Sequence, residues 1–234
     1  MSDIVYCVKE SEDNEELRYS LRSICNFPHD KVWIYGYCPS WCKPDYYVHV
    51  EQDQDNKWHN VGKLLHLIME NNKISKNFWL FNDDFFIMEK VDKPINYHHG
   101  DLYKRIVTLE DYYKRSTGYS IALRQCAKEV EAISDTSRNY ELHIPMMVNR
   151  AKARELHTIA NSYGFRSLYG NYCNIKSKEM RDVKINNLTD RYIKGVYLST
   201  SDNSFKYGVV GKQIRKMFPD KCQYEVRSIR RAVK

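Results

Sequence analysis

Two consecutive carboxylates, Asp83 and Asp84, follow Asn82 and stand between two very apolar tracts, Phe78-Trp79-Leu80-Phe81 and Phe85-Phe86-Ile87-Met88. Adjacent carboxylates repel each other, and burial strips both of water. A compensating positive charge is therefore expected, and a divalent cation such as Mn2+ or Mg2+ is the simplest candidate. Hard cations take oxygen ligands from one or two carboxylates and complete their shell with substrate phosphates and water. Such an ion neutralises charge developing on a leaving diphosphate. A second reading is open for the same residues: Asn-Asp is good turn chemistry, and the two apolar tracts could be the arms of a hairpin.

Other residues carry weaker signals. Glu141 and His143 fall on one side of an extended segment, with Pro145 disfavouring helix just before it. Glu141 could serve as general base on an acceptor hydroxyl, and His143 could equally be a structural histidine. Arg18 and Arg22 are four apart on a helical pattern, so they share a face. They could reach a diphosphate, or form surface ion pairs of little consequence. Asn60 and Lys63 lie at the start of a helix, where free N–H groups and the helix dipole favour phosphate; Asn60 is also an ordinary cap. Arg166, Tyr169, Gly170 and Asn171 read as a loop, with Arg166 a phosphate candidate and Tyr169 and Asn171 acceptor candidates. His98 and His99 are taken as loop residues, because neighbours in an extended chain point to opposite sides.

The elements that must position these groups are legible in the first ninety residues. Asp3–Lys9, Lys31–Tyr37, Tyr46–Val50 and Asn77–Phe81 read as strands. The last of these is almost continuously apolar, as suits a strand buried on both faces of a parallel sheet. Leu17, Leu21, Ile24 and Cys25 recur at helical spacing, as do Val61, Leu64, Leu65, Ile68 and Met69. Alternating strands and helices predict a layered α/β fold, in which ligands bind beyond the carboxyl ends of the strands. Helices are also expected at 120–133, at 150–163 with Gly164 as cap, and at 207–218.

Three segments in this order resemble the Stealth family of sugar-phosphate transferases: Glu16-Leu-Arg-Tyr-Ser-Leu-Arg-Ser23 on the first helix, Pro39-Ser-Trp41 after the second strand, and Asn82-Asp-Asp-Phe-Phe86. The resemblance covers roughly residues 3–90. It implies a Rossmann-like sheet flanked by helices of the GT-A, or nucleotide-diphospho-sugar transferase, type. Asp84 would then bind the metal, with Asp83 beside it and His143 helping. Arg18, Arg22, Asn60, Lys63, Asn82 and Arg166 would hold the donor. The expected activity is transfer of a sugar from a nucleotide-sugar, with UDP as the expected nucleotide, to an acceptor hydroxyl. The alternatives are a sugar-phosphate transferase acting on surface polysaccharide and a non-enzymatic nucleic-acid-binding module.

Charge bears on the acceptor. The formal net charge is +7, and residues 212–234 hold eight basic side chains against Asp220 and Glu225. The organisation expected is a catalytic domain over 1–206 and a basic helical segment over 207–234. That segment, with Arg215 and Lys216 as acceptor candidates, suggests DNA or an anionic lipid surface as partner; a solvated helix end is the bland alternative. The small size and the Asn-, Lys- and Tyr-rich composition would suit a bacteriophage that decorates modified bases of its own DNA. Seven scattered cysteines in an odd number, with no signal-like N-terminus, favour reduced thiols and a cytoplasmic setting, the host cytoplasm in the viral case. No tract reaches the roughly 20 apolar residues of a membrane helix.

Overall fold

A computed structural model describes residues 1–53, 57–157, 164–188 and 191–226. The central sheet contains β1 (Asp3–Val8), β2 (Val32–Gly36), β3 (Tyr46–His49), β4 (Asn77–Asn82) and β7 (Met146–Asn149), in the order β3-β2-β1-β4-β7. β1 runs parallel to β2 and β4, and β2 parallel to β3; β7 alone is antiparallel, against β4. The mixed α/β fold expected from the first ninety residues is therefore observed, with a mostly parallel sheet.

Alternation along the strands sends side chains to two cores. Val5, Trp33, Tyr35, Phe78 and Leu80 face one side, where α2 (Lys57–Glu70) contributes Leu64 and Ile68, and α4 (Gly118–Glu131) contributes Leu123 and Val130. Ile4, Tyr6, Val8, Ile34, Trp79 and Phe81 face the other, where α1 (Glu15–Ser23) inserts Leu17 and Leu21. Burial on both faces explains why β4 is apolar without a break. α3 (Leu102–Tyr113) and α5 (Arg150–His157) complete the first layer through Ile106 and Ala153. The part of the expected 150–163 helix beyond His157 lies outside the described residues. Gly164, expected as the cap closing that helix, instead caps the start of α6 (Phe165–Tyr172) in a left-handed conformation, φ 67°.

A second sheet begins after a two-residue turn at the carboxyl end of β4. It joins β5 (Phe85–Ile87), β10 (Tyr197–Thr200) and β9 (Lys184–Ile185), with β10 central. The hairpin reading of residues 78–88 is thus excluded: β4 pairs with β1 and β7, whereas β5 pairs with β10. α7 (Asp202–Tyr207) and α8 (Val209–Met217) cover this sheet, packing Phe205, Val210 and Ile214 on Phe86 and Leu198. A short parallel pair, β6 (Asn96–His98) with β8 (Ser177–Glu179), meets β7 through Met147 N on Asn96 Oδ1, so His98 is strand rather than loop. All seven cysteines are free. Among the described residues no helix is long and apolar enough to cross a membrane.

Phe81 is fully buried, with ring centroids 5.2 Å from Tyr6 and 5.4 Å from Phe27. Phe81→Ala should cost about 3–5 kcal/mol, read as a lower urea midpoint with unchanged slope. A change under about 1 kcal/mol would mean that the core beneath β4 is not packed as described.

Candidate functional site

The strand order reverses beside β1: β2 and β3 extend the sheet one way and β4 the other. At such a switch point the carboxyl ends of the strands diverge and open a crevice. Asp83 and Asp84 lie there, in the two-residue turn by which the chain leaves the central sheet and enters the second one. Asp84 is buried and Asp83 half-buried.

Each carboxylate is held by a different element. Asp84 Oδ2 accepts from Lys184 Nζ of β9 at 2.7 Å and from Ser199 Oγ of β10 at 2.9 Å. Asp83 Oδ2 accepts from Asn14 Nδ2 at 2.6 Å. The same Asn14 accepts from Leu17 N at 2.9 Å through Oδ1, so one amide caps α1 and orients Asp83. Part of the expected positive compensation is therefore a lysine.

A third carboxyl crowds the pair. Glu16, in the first turn of α1, is half-buried and bonded to the Thr200 hydroxyl. Desolvation, opposed by the Thr200 bond, pushes its carboxyl up to about 8, and the charges of Asp84, Asp83 and Asp202 add to the rise. Burial and then the neighbouring Asp84 raise Asp83 to about 6. Four acidic side chains thus share a region in which Lys184 bonds Asp84 and the buried Arg166 guanidinium lies close enough to interact with the same carboxylate. Among the described residues no group of three or more His, Cys, Asp or Glu side chains is arranged to hold a metal by itself.

Arg166 borders the site without being free to bind a donor. It is buried, donating to Ile144 O at 2.9 Å and more distantly to Leu80 O and to Asn82 Oδ1 at 3.5 Å, with its guanidinium 5.3 Å from the centre of the Phe85 ring. Burial lowers its pKa, opposed by Glu141, Cys7 and Asp84. Its role is to tie the end of β4 to the segment before β7.

Other expected site residues lie elsewhere. Arg22 forms a two-pronged pair with Glu225, Nε–Oε1 2.7 Å and Nη2–Oε2 2.9 Å, and also donates to Phe218 O and Pro219 O. Arg18 lies 4.4 Å over the Trp41 ring and 3.8 Å from Glu225 Oε2. The two arginines do share a face, and that face meets Phe218, Pro219 and Glu225. Asn60 bonds both backbone groups of Asp53, and Lys63 donates to Glu51 O at 3.1 Å. Both fix the connection from β3 to α2, beside a cavity of about 320 Å³ lined by Glu10, Tyr37, His49, Val50, Glu51 and Gln52. Gly36 closes β2 there at φ 105°, and a Cβ would meet Val8 O at 2.2 Å.

The segment read as a loop, 166–171, is helix α6. Tyr169 is buried and its hydroxyl accepts from Asn149 N at 2.7 Å. Asn171 is also buried, accepting from Thr136 Oγ1 and Arg138 N and donating to Arg138 O and Ser167 O. Neither is presented to an acceptor. Arg215 is engaged with Glu15 and with Phe205 O, while Lys216 is exposed.

Glu141 and His143 do alternate with buried Tyr140, Leu142 and Ile144, but their partners differ. Glu141 Oε1 accepts from Ser167 N at 2.9 Å and so caps the first turn of α6. His143 Nδ1 is 2.9 Å from Asp182 Oδ2, and its ring lies 6.5 Å from that of Phe85. The Asp182 carboxyl is raised by burial but brought below the ordinary value overall by the His143 bond. A carboxylate on Nδ1 fixes the tautomer and leaves Nε2 as the basic atom.

Asn14, Glu16, Asp182, Lys184, Ser199 and Thr200 were not singled out from the sequence. Only Asn14 and Glu16 had a local signal, as cap and first-turn acid ahead of the apolar helical pattern. Compared with known protein families and with curated protein sequences, the chain matches none.

Two outcomes follow from these placements. Folded Glu16 binds its proton more tightly than an ordinary glutamate does, so its stabilising contribution is present at low pH and is lost as pH rises from about 4.5 through about 8. Glu16→Gln should flatten the fall in thermal midpoint between pH 5.5 and 8.5; an undiminished fall would show that the proton resides elsewhere. Asn171→Ala leaves several buried partners unpaired and should cost about 2–4 kcal/mol, measured by chemical denaturation.

Proposed function

We propose that this protein is a metal-assisted glycosyltransferase with a GT-A-like core, moving a sugar from a nucleotide-sugar, with UDP as the favoured nucleotide, to an acceptor hydroxyl. The observation that carries this reading is the place of Asp83 and Asp84: at the switch point, between two sheets, desolvated and crowded against each other and Glu16. Desolvated carboxyls with raised pKa values in a crevice mark a candidate functional site, and paired carboxylates suit a hard cation brought with its substrate.

The residues fit such an ion. Both hydrogen bonds to Asp84 end on Oδ2, and among the described residues Oδ1 accepts none. One or two carboxylates are enough when substrate phosphates and water fill the remaining positions, so the lack of a three-residue cluster is no obstacle. Asp84 with Asp83 would hold Mg2+ or Mn2+, which when bound would neutralise the diphosphate. Lys184 adds a second positive charge at the same carboxylate. The 320 Å³ cavity at the ends of β2 and β3, lined in part by Tyr37, offers room for the nucleoside.

His143 replaces Glu141 as the general base in this reading. Held by Asp182 through Nδ1, its Nε2 takes the proton from the acceptor hydroxyl. The hydroxyl oxygen then forms its bond to the anomeric carbon, and the bond from that carbon to the diphosphate breaks. The nucleoside diphosphate leaves with the electron pair. Glu141 is spent on the α6 cap.

The decisive measurement is a thermal-shift screen of nucleotide-sugars with and without Mn2+, since a ligand that binds only the folded state raises its midpoint. A metal-dependent rise should appear and should vanish in Asp84→Asn. No rise with any nucleotide-sugar, or a rise that survives in Asp84→Asn, would sink the reading. Release of UMP in place of UDP would move the activity to sugar-phosphate transfer. With an acceptor in hand, His143→Gln should lower kcat about 10²–10⁴-fold, whereas Glu141→Gln should lower stability and leave kcat within a few-fold.

A further inference from the structure

A further cavity, about 510 Å³, shares no lining residue with the 320 Å³ cavity at the ends of β2 and β3. Its volume is in the range of sites that take a small organic ligand. Tyr97 of β6, Met180 just beyond β8 and Tyr197 of β10 form part of its wall, with Val91 and Val196. Backbone bonds fix the segments that carry them. Val91 N donates to Asn26 O at 2.8 Å, Met88 N to Val196 O at 2.8 Å and Met180 N to His98 O at 2.9 Å.

Tyr197 is the informative residue. It is only 7% exposed, and a buried phenol ordinarily finds a hydrogen-bond partner. Among the described residues its hydroxyl has none; the neighbouring Tyr97 meets it ring edge to ring face, with centroids 6.0 Å apart. Burial, and then Tyr97, push its pKa up, so the phenol stays a neutral donor. A buried hydroxyl without a partner costs free energy, and the cavity is the side from which a partner can come.

The charged groups on the wall balance. Lys90 and Lys93 stand against Asp92 and Glu179, with Lys90 3.2 Å from Asp92. A nucleic-acid strand or an anionic polysaccharide gains little from a neutral wall and is repelled by its carboxylates. An apolar ligand leaves those charges and the Tyr197 hydroxyl unmatched. A neutral sugar suits all of them. Each of its hydroxyls both donates and accepts, so one ring can serve a phenol, an ammonium and a carboxylate while its C–H face lies on Tyr97, Met180 and Val91.

Two connections tie this cavity to the carboxylate site. Tyr197 and Ser199 lie on one side of β10, with Leu198 on the other. Two residues of strand span about 7 Å, and Ser199 bonds Asp84. Met180 stands two residues before Asp182, the carboxylate that holds His143. The cavity therefore neighbours both the acidic pair and the histidine without containing either.

We propose that the cavity lined by Tyr97, Tyr197, Met180, Lys93 and Glu179 binds one ring of a neutral oligosaccharide, which accepts a hydrogen bond from the Tyr197 hydroxyl. The next ring of the chain extends toward Asp84 and His143. That this oligosaccharide is the acceptor rests on the transferase reading above; its binding does not.

The test is saturation-transfer NMR of the full chain with cellotriose, maltotriose, mannotriose and chitotriose in turn, followed by titration of each one that binds. At least one should bind, and Tyr197→Phe should weaken it about 3–10-fold. The hydroxyl removed has no protein partner, so the same variant should keep the native thermal midpoint. A hydroxyl that served structure alone would lower the midpoint and leave binding unchanged. Failure of all four trisaccharides to bind overturns the proposal, as does native-like binding in Tyr197→Phe. Tighter binding of hyaluronate or of a 12-nucleotide DNA strand than of every neutral trisaccharide also overturns it. Tyr197-dependent saccharide binding in a protein showing no metal-dependent nucleotide-sugar shift removes the transferase reading and leaves the saccharide site standing. A nucleotide-sugar shift with no saccharide bound does the reverse.

Discussion

A carboxylate loses far more hydration free energy on burial than a single hydrogen bond returns, and β4 ends in two of them. The surrounding architecture is organised by that cost. Asn14 is placed by the capping of α1, Lys184 and Ser199 by β9 and β10, and Glu16 by the first helical turn. α1 lies far from β9 and β10 in the chain, so the carboxylates can be accommodated only once both sheets are in place.

The helix α1 shows how one short element serves several ends at once. Leu17 and Leu21 enter the core. Ser20 donates to Phe85 O, Ser23 accepts from Ile87 N, and Asn26 just beyond donates to Ile87 O, so the side of β5 left without a strand partner is satisfied by side chains. An unpaired edge inside a protein would otherwise leave backbone groups orphaned. Glu16 faces the carboxylates, while Arg22 grips Glu225 from a different side of the helix, with Arg18 3.8 Å from the same carboxylate. The Pro39-Ser-Trp41 turn meets this helix through Trp41 under Arg18. Two of the three segments that carry the family resemblance are therefore in contact, and α1 also holds β5, the continuation of the third. Their joint occurrence in one chain has a packing reason in addition to any chemical one.

The arginines illustrate why residue type and spacing mislead about ligands. A guanidinium suits a diphosphate and a carboxylate equally well. Arg18 and Arg22 were within reach of either by sequence, and Glu225, some two hundred residues on, is the partner they have. Asn171 and Tyr169 mislead in the same way: a polar side chain that looks free in a loop is a core hydrogen-bonding group once the segment is helical and buried. His143 keeps its chemical interest but changes partner, from the carboxylates to Asp182.

The amino-acid sequence by itself determined the alternating elements of residues 3–82, the burial of β4 on both faces and the position of the acidic pair at a strand end. These follow from local periodicity and from the cost of leaving apolar or charged groups in the wrong solvent, and both act over a few residues. The sequence did not disclose the second sheet, the helices α3, α6 and α7, or the partners of nearly every polar side chain. β5, β9 and β10 are two to four residues long, too short for a period to register, and they exist because they find each other across about a hundred residues of chain. Lys184 on Asp84, Asp182 on His143 and Glu225 on Arg22 are likewise encounters between distant positions. Only the folded chain decides them, because an ion pair is specified by distance in space and by shared burial, and neither is written in the spacing of residues along the chain.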